Sequence, residues 1–251
     1  MSQNMIAIEF KKIKHTPALW ISVLAPLFLA LMVFLIYFFQ GDKLIRQGMN
    51  PYDSFLSMGW NNSAFFLIPL FVVILNSMII NIEHANGGWK MLLTAPVSRL
   101  TIYLSKWGII NLVSFITHVL FVIFLLIFVY LLSWLKPDLG FADYSPDLQR
   151  FFWWGLKIFI ATLALSTLQF QFSLWMKNNF KSIGIGLMGV IAGLILTNWE
   201  HINYFPYAYT GLSFSLFNTE SGVLLHEYLS LAYTAVLLVI GWFFWRRKQF
   251  T

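Results

Sequence analysis

Six stretches of the chain carry no Asp, Glu, Lys or Arg, and their lengths leave few folds open. The runs between Lys14 and Asp42, Asp53 and Glu83, and Lys106 and Lys136 hold 27, 29 and 29 such residues. Those between Lys157 and Lys177, Lys181 and Glu200, and Glu227 and Arg246 hold 19, 18 and 18. A helix rising about 1.5 Å per residue needs roughly 20 residues to cross a hydrocarbon core of about 30 Å. All six are read as membrane spans, over 17–41, 60–82, 101–135, 151–176, 182–200 and 227–245. Helices are the expected form, because lipid offers open backbone groups no partner. Composition agrees: 59% of the 251 residues are hydrophobic and 10% charged, against about 25% charged in an ordinary soluble domain. The fold class is an all-α membrane protein with six transmembrane helices. Residues 1–251 read as a single transmembrane domain with short loops.

The Lys and Arg residues give an orientation. With the N-terminus inside, eleven cations fall on the inner side, among them Lys11, Lys12, Lys14, Lys90, Arg99, Lys106, Arg246 and Lys248. Four, Lys43, Arg46, Lys136 and Arg150, fall outside. That is the bias of cytoplasmic termini. Eight of the ten acids, Glu220 among them, fall outside and agree. The net charge of +6 therefore reports orientation rather than nucleic-acid binding. The first span follows basic residues as a signal peptide would, but its apolar run is too long, so it is read as a retained helix. Trp20, Trp60, Trp153, Trp154, Trp199, Trp242 and Trp245 fall near span ends, as interfacial aromatics do.

Two inner segments carry more pattern than a chain reversal needs. Residues 1–16 read as an amphipathic helix, with Ile6, Phe10 and Ile13 on one side, Met5 nearby, and Glu9, Lys11, Lys12 and Lys14 around the rest. Such a helix suits the membrane surface, its cations toward anionic lipid. Between spans two and three, Trp89, Leu92 and Leu93 make one side of a short helix. Gly87 and Gly88 allow close approach of another backbone, Pro96 stops the helix, and Ser98 can cap the next one. The simpler readings are a topology signal for the first segment and a solvated basic turn for the second.

Glu83, Gly87, Trp89, Lys90, Pro96, Ser98, Arg99, Tyr103 and Lys106 together resemble the loop pattern of ABC-2 type exporter permeases. Those of lantibiotic and bacitracin self-protection are the nearest group. The layout of six spans and a basic N-terminal helix is similar over nearly the whole chain. The resemblance implies that this short helix is a coupling helix seated on a separate ATP-binding subunit, with Glu83, Gly87, Trp89, Lys90, Pro96, Ser98, Arg99 and Lys106 at the contact. It implies that Glu9, Phe10, Lys11 and Lys14 belong to a supporting elbow helix. It also implies short re-entrant helices between Glu200 and Glu227, where HINYFPYAYTGLSFSLF is too aromatic for a solvated loop. Partners would be an ATPase subunit, a second or sister permease, and membrane lipid, with no nucleic acid. No cofactor is expected on this chain; ATP and Mg would sit on the partner. The compartment would be a bacterial cytoplasmic membrane, the cargo an amphipathic peptide or lipid-like compound, and the direction outward.

The residues exclude some chemistry. No G-x-x-x-x-G-K-[ST] phosphate loop occurs, so ATP is not bound by that route. There is no cysteine, and none of His15, His84, His118, His201 and His226 makes an H-x-x-x-H zinc pair. His118 lies inside a span, where an ionisable group is a functional candidate; a neutral histidine bonded across helices is the simpler reading. Thr167, Gln169 and Gln171 give the fourth span a polar streak. These four could line a path or a dimer seam, or simply bond helix to helix. An intramembrane enzyme and a non-catalytic anchoring subunit are the alternatives.

Overall fold

A computed structural model describes residues 3–14, 16–45, 48–94, 96–216 and 225–247. His15, Arg46, Glu220 and Lys248 lie outside the described residues. The described chain is helical, with no strand. A short helix α1 (Gln3–Ile13) precedes the first span, α2 (Pro17–Leu44). The second span is built from α3 (Pro51–Asn62), a π-helical turn at Ser63–Leu67, and α4 (Ile68–His84). Helix α5 (Gly88–Thr94) leads to α6 (Arg99–Leu135), α7 (Leu148–Trp175) and α8 (Asn179–Ile195). Three 3-10 turns and α9 (Tyr209–Leu216) then lead to α10 (Leu225–Trp245). Among the described residues six helices are long and apolar enough to cross a membrane: α2, the α3–α4 rod, α6, α7, α8 with its terminal turn, and α10.

Local chemistry sets the boundaries. The second span starts at Pro51 rather than at residue 60. Asn50 caps it, its side chain accepting from the Tyr52 N–H, and Pro51 takes the first helical position, where its missing N–H is harmless. Asp53 in the first turn suits the positive end of the helix dipole. The π turn has a comparable cause. Ile68 N–H reaches back to the Ser63 carbonyl, and the next bond in that pattern, to Ala64, would need an N–H that Pro69 lacks. The Thr210 hydroxyl donates to the Ala64 carbonyl instead, at 2.6 Å. A buried backbone acceptor is thus satisfied by α9, which explains why that aromatic segment packs inward.

The α3–α4 rod is the centre of the bundle, with 67% of its apolar window buried, against 22% for α8 and α10. Helix α2 lies along α6, and α7 along α10. Trp60, Trp154 and Trp245 are core residues, not interfacial ones. Trp60 packs edge-on against Phe121 and Phe151, and Trp245 meets Trp89 edge-on and Tyr103 and Trp242 with tilted rings. Trp20, Trp153 and Trp199 are exposed, as the sequence suggested. Six crossings bring α1 and the end of α10 to one end of the bundle, where Arg99 Nη1 donates to the Arg246 carbonyl at 2.8 Å.

Candidate functional site

At that end four charged side chains close into a ring. Lys106 of α6 donates to Glu83 Oε1 at 2.5 Å and to Glu9 Oε2. Lys12 of α1 donates to the same Glu83 oxygen at 2.9 Å and to Glu9 Oε1 at 3.3 Å. Two carboxylates and two ammoniums sum to zero charge. Glu9, Glu83 and Lys106 are almost completely buried, whereas Lys12 keeps about a quarter of its side chain exposed. A buried charge persists only when paired and hydrogen-bonded, and here each carboxylate meets both cations.

The ring joins three segments that are far apart in sequence. Glu9 faces inward because Lys106 waits there. The inward stripe of α1 is therefore Met5, Glu9 and Ile13, while Ile6 and Phe10 are exposed. This corrects the expected amphipathic face, which grouped Glu9 with the solvated lysines; spacing sees apolarity, not a buried ion pair. Lys11 and Lys14 are exposed. Burial pulls the Lys12 ammonium down, but the hydrogen bonds and charges of Glu83 and Glu9 outweigh it and hold its pKa above the usual lysine value.

Helix α5 rests directly on the ring. A Cβ added at Gly88 would stand 2.6 Å from Glu83 Oε2 and 3.0 Å from the Glu83 Cα. Only glycine lets the start of α5 lie against this carboxylate. Gly87 has φ +69°, a left-handed turn that glycine adopts without strain. Trp89 and Leu92 point inward, and Lys90, Met91 and Thr94 point out. Trp89 Nε1 donates to His84 Nδ1 at 3.1 Å, and His84 Nε2 meets the Ser173 carbonyl at 2.9 Å. An indole only donates and a carbonyl only accepts, so the ring proton of this neutral histidine sits on Nε2. Pro96 and Arg99 are exposed. Ser98 caps α6, accepting from the Thr101 N–H.

The residues expected at one contact thus divide into two layers. Gly87, Lys90, Pro96, Ser98 and Arg99 lie on the surface, whereas Glu83, Trp89 and Lys106 lie beneath it. The sequence reading left Lys12 and His84 out of the site. One signal was available: Glu9 and Glu83 are the two acids of ten that fall at the basic end, and both are in the ring.

The suggested path residues do not share a wall. Thr167 accepts from Trp107 Nε1 at 2.9 Å. Gln169 bonds Ser182 and Ser77 and accepts from the Tyr207 hydroxyl. Gln171 donates to the Tyr103 hydroxyl at 2.6 Å. Each ties one helix to another. His118 stands apart, and its Nδ1 pairs with the Ser114 carbonyl of its own helix at 2.8 Å, not across helices.

Comparison with known proteins gives one finding on the whole architecture. A family model described as ABC-2 family transporter protein matches residues 5–193, from α1 through most of α8. No curated protein and no solved structure matches the chain.

Proposed function

The chain belongs to the ABC-2 family of transporters and is a multi-pass membrane permease component; from that premise we propose that it couples a separate ATP-binding-cassette subunit to the movement of an amphipathic molecule. Permeases of this family normally work with such an ATPase subunit. The partner holds ATP and Mg and docks on the exposed side of α5, at Lys90, Met91 and Thr94. Pro96 and Arg99 border the contact, and α1 acts as the elbow helix. Two permease copies, or one with a sister chain, form the path. Both termini are cytoplasmic, in a bacterial inner membrane. The cargo is a peptide antibiotic or a lipid-like compound, moved outward as in self-protection exporters. The turns before α9, with α9 itself, act as the re-entrant element.

The observation that carries the reading is the seating of α5 on the ring. Glu83 lies in the last turn of α4 and Lys106 in the second turn of α6, and Lys106 joins Glu83 to Glu9 of α1. A push on α5 meets Glu83 through the Gly88 contact and passes to three helices at once, because packed elements move as units. In this reading Glu83 transmits force and does not touch the ATPase.

The test is a pull-down of the tagged chain from its native membrane in mild detergent, with the co-purifying proteins identified. The expected result is a soluble protein of ATP-binding-cassette type, lost with Met91→Glu and retained with Glu83→Gln. Glu83→Gln would instead uncouple, leaving the ATPase bound but no longer stimulated. Recovery of the chain alone would overturn the proposal.

A further inference from the structure

A half-open apolar cavity of about 220 Å³ lies between α2, α4 and α6, away from the ring and from the polar contacts of α7. His118 lines it twelve residues beyond Lys106, roughly 18 Å further into the bilayer along α6. Two irregular helices frame it. On one side stands Pro26, a proline inside α2, which removes a backbone hydrogen bond and opens the helix. On the other stands Leu67, the last residue of the π turn, a feature that gathers at functional sites. The outer wall is α2, of which only 28% of the apolar window is buried, and Phe28 at the rim is 60% exposed. The mouth therefore faces the lipid side of this chain.

One buried polar atom of a residue lining the cavity has no partner. His118 Nδ1 faces the Ser114 carbonyl, which can only accept, so the ring hydrogen sits on Nδ1. Nε2 of the neutral ring is then an acceptor. It is buried and makes no hydrogen bond, although buried polar atoms are almost always paired. A largely apolar pocket with a single orienting polar group is the form that small-molecule sites take.

We propose that this cavity binds the hydrocarbon chain of a membrane-dissolved amphiphile that carries a hydrogen-bond donor, a long-chain alcohol being the simplest, with His118 Nε2 as the acceptor. The apolar walls take the chain, and the hydroxyl satisfies the one open acceptor. A headgroup or a peptide has no counterpart in this lining. The proposal does not rest on the transport reading, because binding is a property of the chain alone.

The experiment uses the full-length chain in nanodiscs and a photoreactive hexadecanol, with its methyl ether as a probe of the same length lacking the donor. The alcohol is expected to label α2, α4 and α6 around the cavity, and excess unlabelled hexadecanol to compete. The ether should label these sites about fivefold less, the worth of one hydrogen bond. In His118→Phe the alcohol should fall to the level of the ether, and Ala25→Trp should fill the space and abolish labelling by both. Native mass spectrometry of the chain as isolated separates the sources. An alcohol retained through purification marks a resident lipid, and one that binds only when added marks a passing ligand; both support the site. Equal labelling by alcohol and ether in the unmutated chain would overturn the role of His118. Label spread over α8 and α10 without competition would overturn the site.

Discussion

Two buried polar clusters tie α4 to its neighbours, and they are made of different materials. At the basic end the ring uses four full charges. Six residues further along α4, Ser77 begins a neutral knot. Ser77 and Ser173 both bond Ser182, at 3.0 and 2.8 Å, and Gln169 reaches Ser182 and Ser77. The difference follows depth. At the ring, half-buried Lys12 still reaches water, so the cluster keeps a solvated corner. Deeper in, no such corner exists, and hydroxyls and an amide do the joining at far lower desolvation penalty. The knot is also redundant, because each hydroxyl has more than one partner. The ring is not, because removing one charge leaves another buried and unbalanced. The ring is thus suited to be a joint that can be broken, and the knot a seam that holds.

The largest expected effect breaks the ring on one side. Glu83→Ala leaves Lys106 facing Glu9 alone while Lys12 loses its shorter contact. Removing one partner of a buried pair costs about 3–5 kcal/mol. Thermal unfolding of the purified chain in detergent should show it. Adding Lys106→Met should recover much of the loss, since the unpaired buried cation goes with it. If Glu83→Ala costs no more than a knot substitution, the contrast between the clusters fails.

A smaller effect tests the seat of α5. Gly88→Ala sets a methyl 2.6 Å from Glu83 Oε2, so the carboxylate or the helix must shift. Overpacking of this kind costs about 1–3 kcal/mol. ATPase stimulation in the assembled complex should fall more than the melting temperature does. Ser182→Ala, in the knot, should cost only about 1 kcal/mol and leave stimulation unchanged, because Ser77 and Ser173 remain within reach of one another at 3.4 Å.

The spans were legible because the bilayer forbids charge over a fixed length, and that constraint is written residue by residue. The two clusters were legible only in part. Gln169 announced itself as a polar residue in an apolar span, but its partners come from α4, α8 and the Tyr207 turn, and no local pattern names them. Glu9 was misread because a periodicity argument assigns every charge to the wet side. Trp60 and Trp245 were misread for the converse reason: both lie near span ends in sequence, yet α3 begins nine residues earlier than the span read at 60–82, and α5 folds back over the end of α10. In each case the deciding partner lies on another helix. The signal that did survive in sequence was an exception to a bias, the two acids left at the basic end.

The smallest expected effect isolates the one corner of the ring that water reaches. Burial pulls Lys12 down, but its hydrogen bonds and charge contacts with Glu83 and Glu9 together outweigh that pull and hold it above the ordinary lysine value of 10.5. A group whose pKa is raised on folding stabilises fully below its unfolded value. That contribution is lost as pH climbs past 10.5 and through the higher folded value. No change from Lys12 is therefore expected near neutrality, and a decline is expected only in strongly alkaline buffer. Because about a quarter of the Lys12 side chain is exposed to water, screening limits the loss to at most about 1 kcal/mol. Lys12→Arg supplies the reference, since guanidinium stays charged throughout and the rest of the chain is unchanged. Melting temperatures followed from pH 9 to pH 11.5 should coincide at first and then diverge, with the unmodified chain falling faster. If the two curves stay parallel, Lys12 is a surface charge beside the ring and not its fourth member, and the joint reduces to Lys106 shared between two carboxylates.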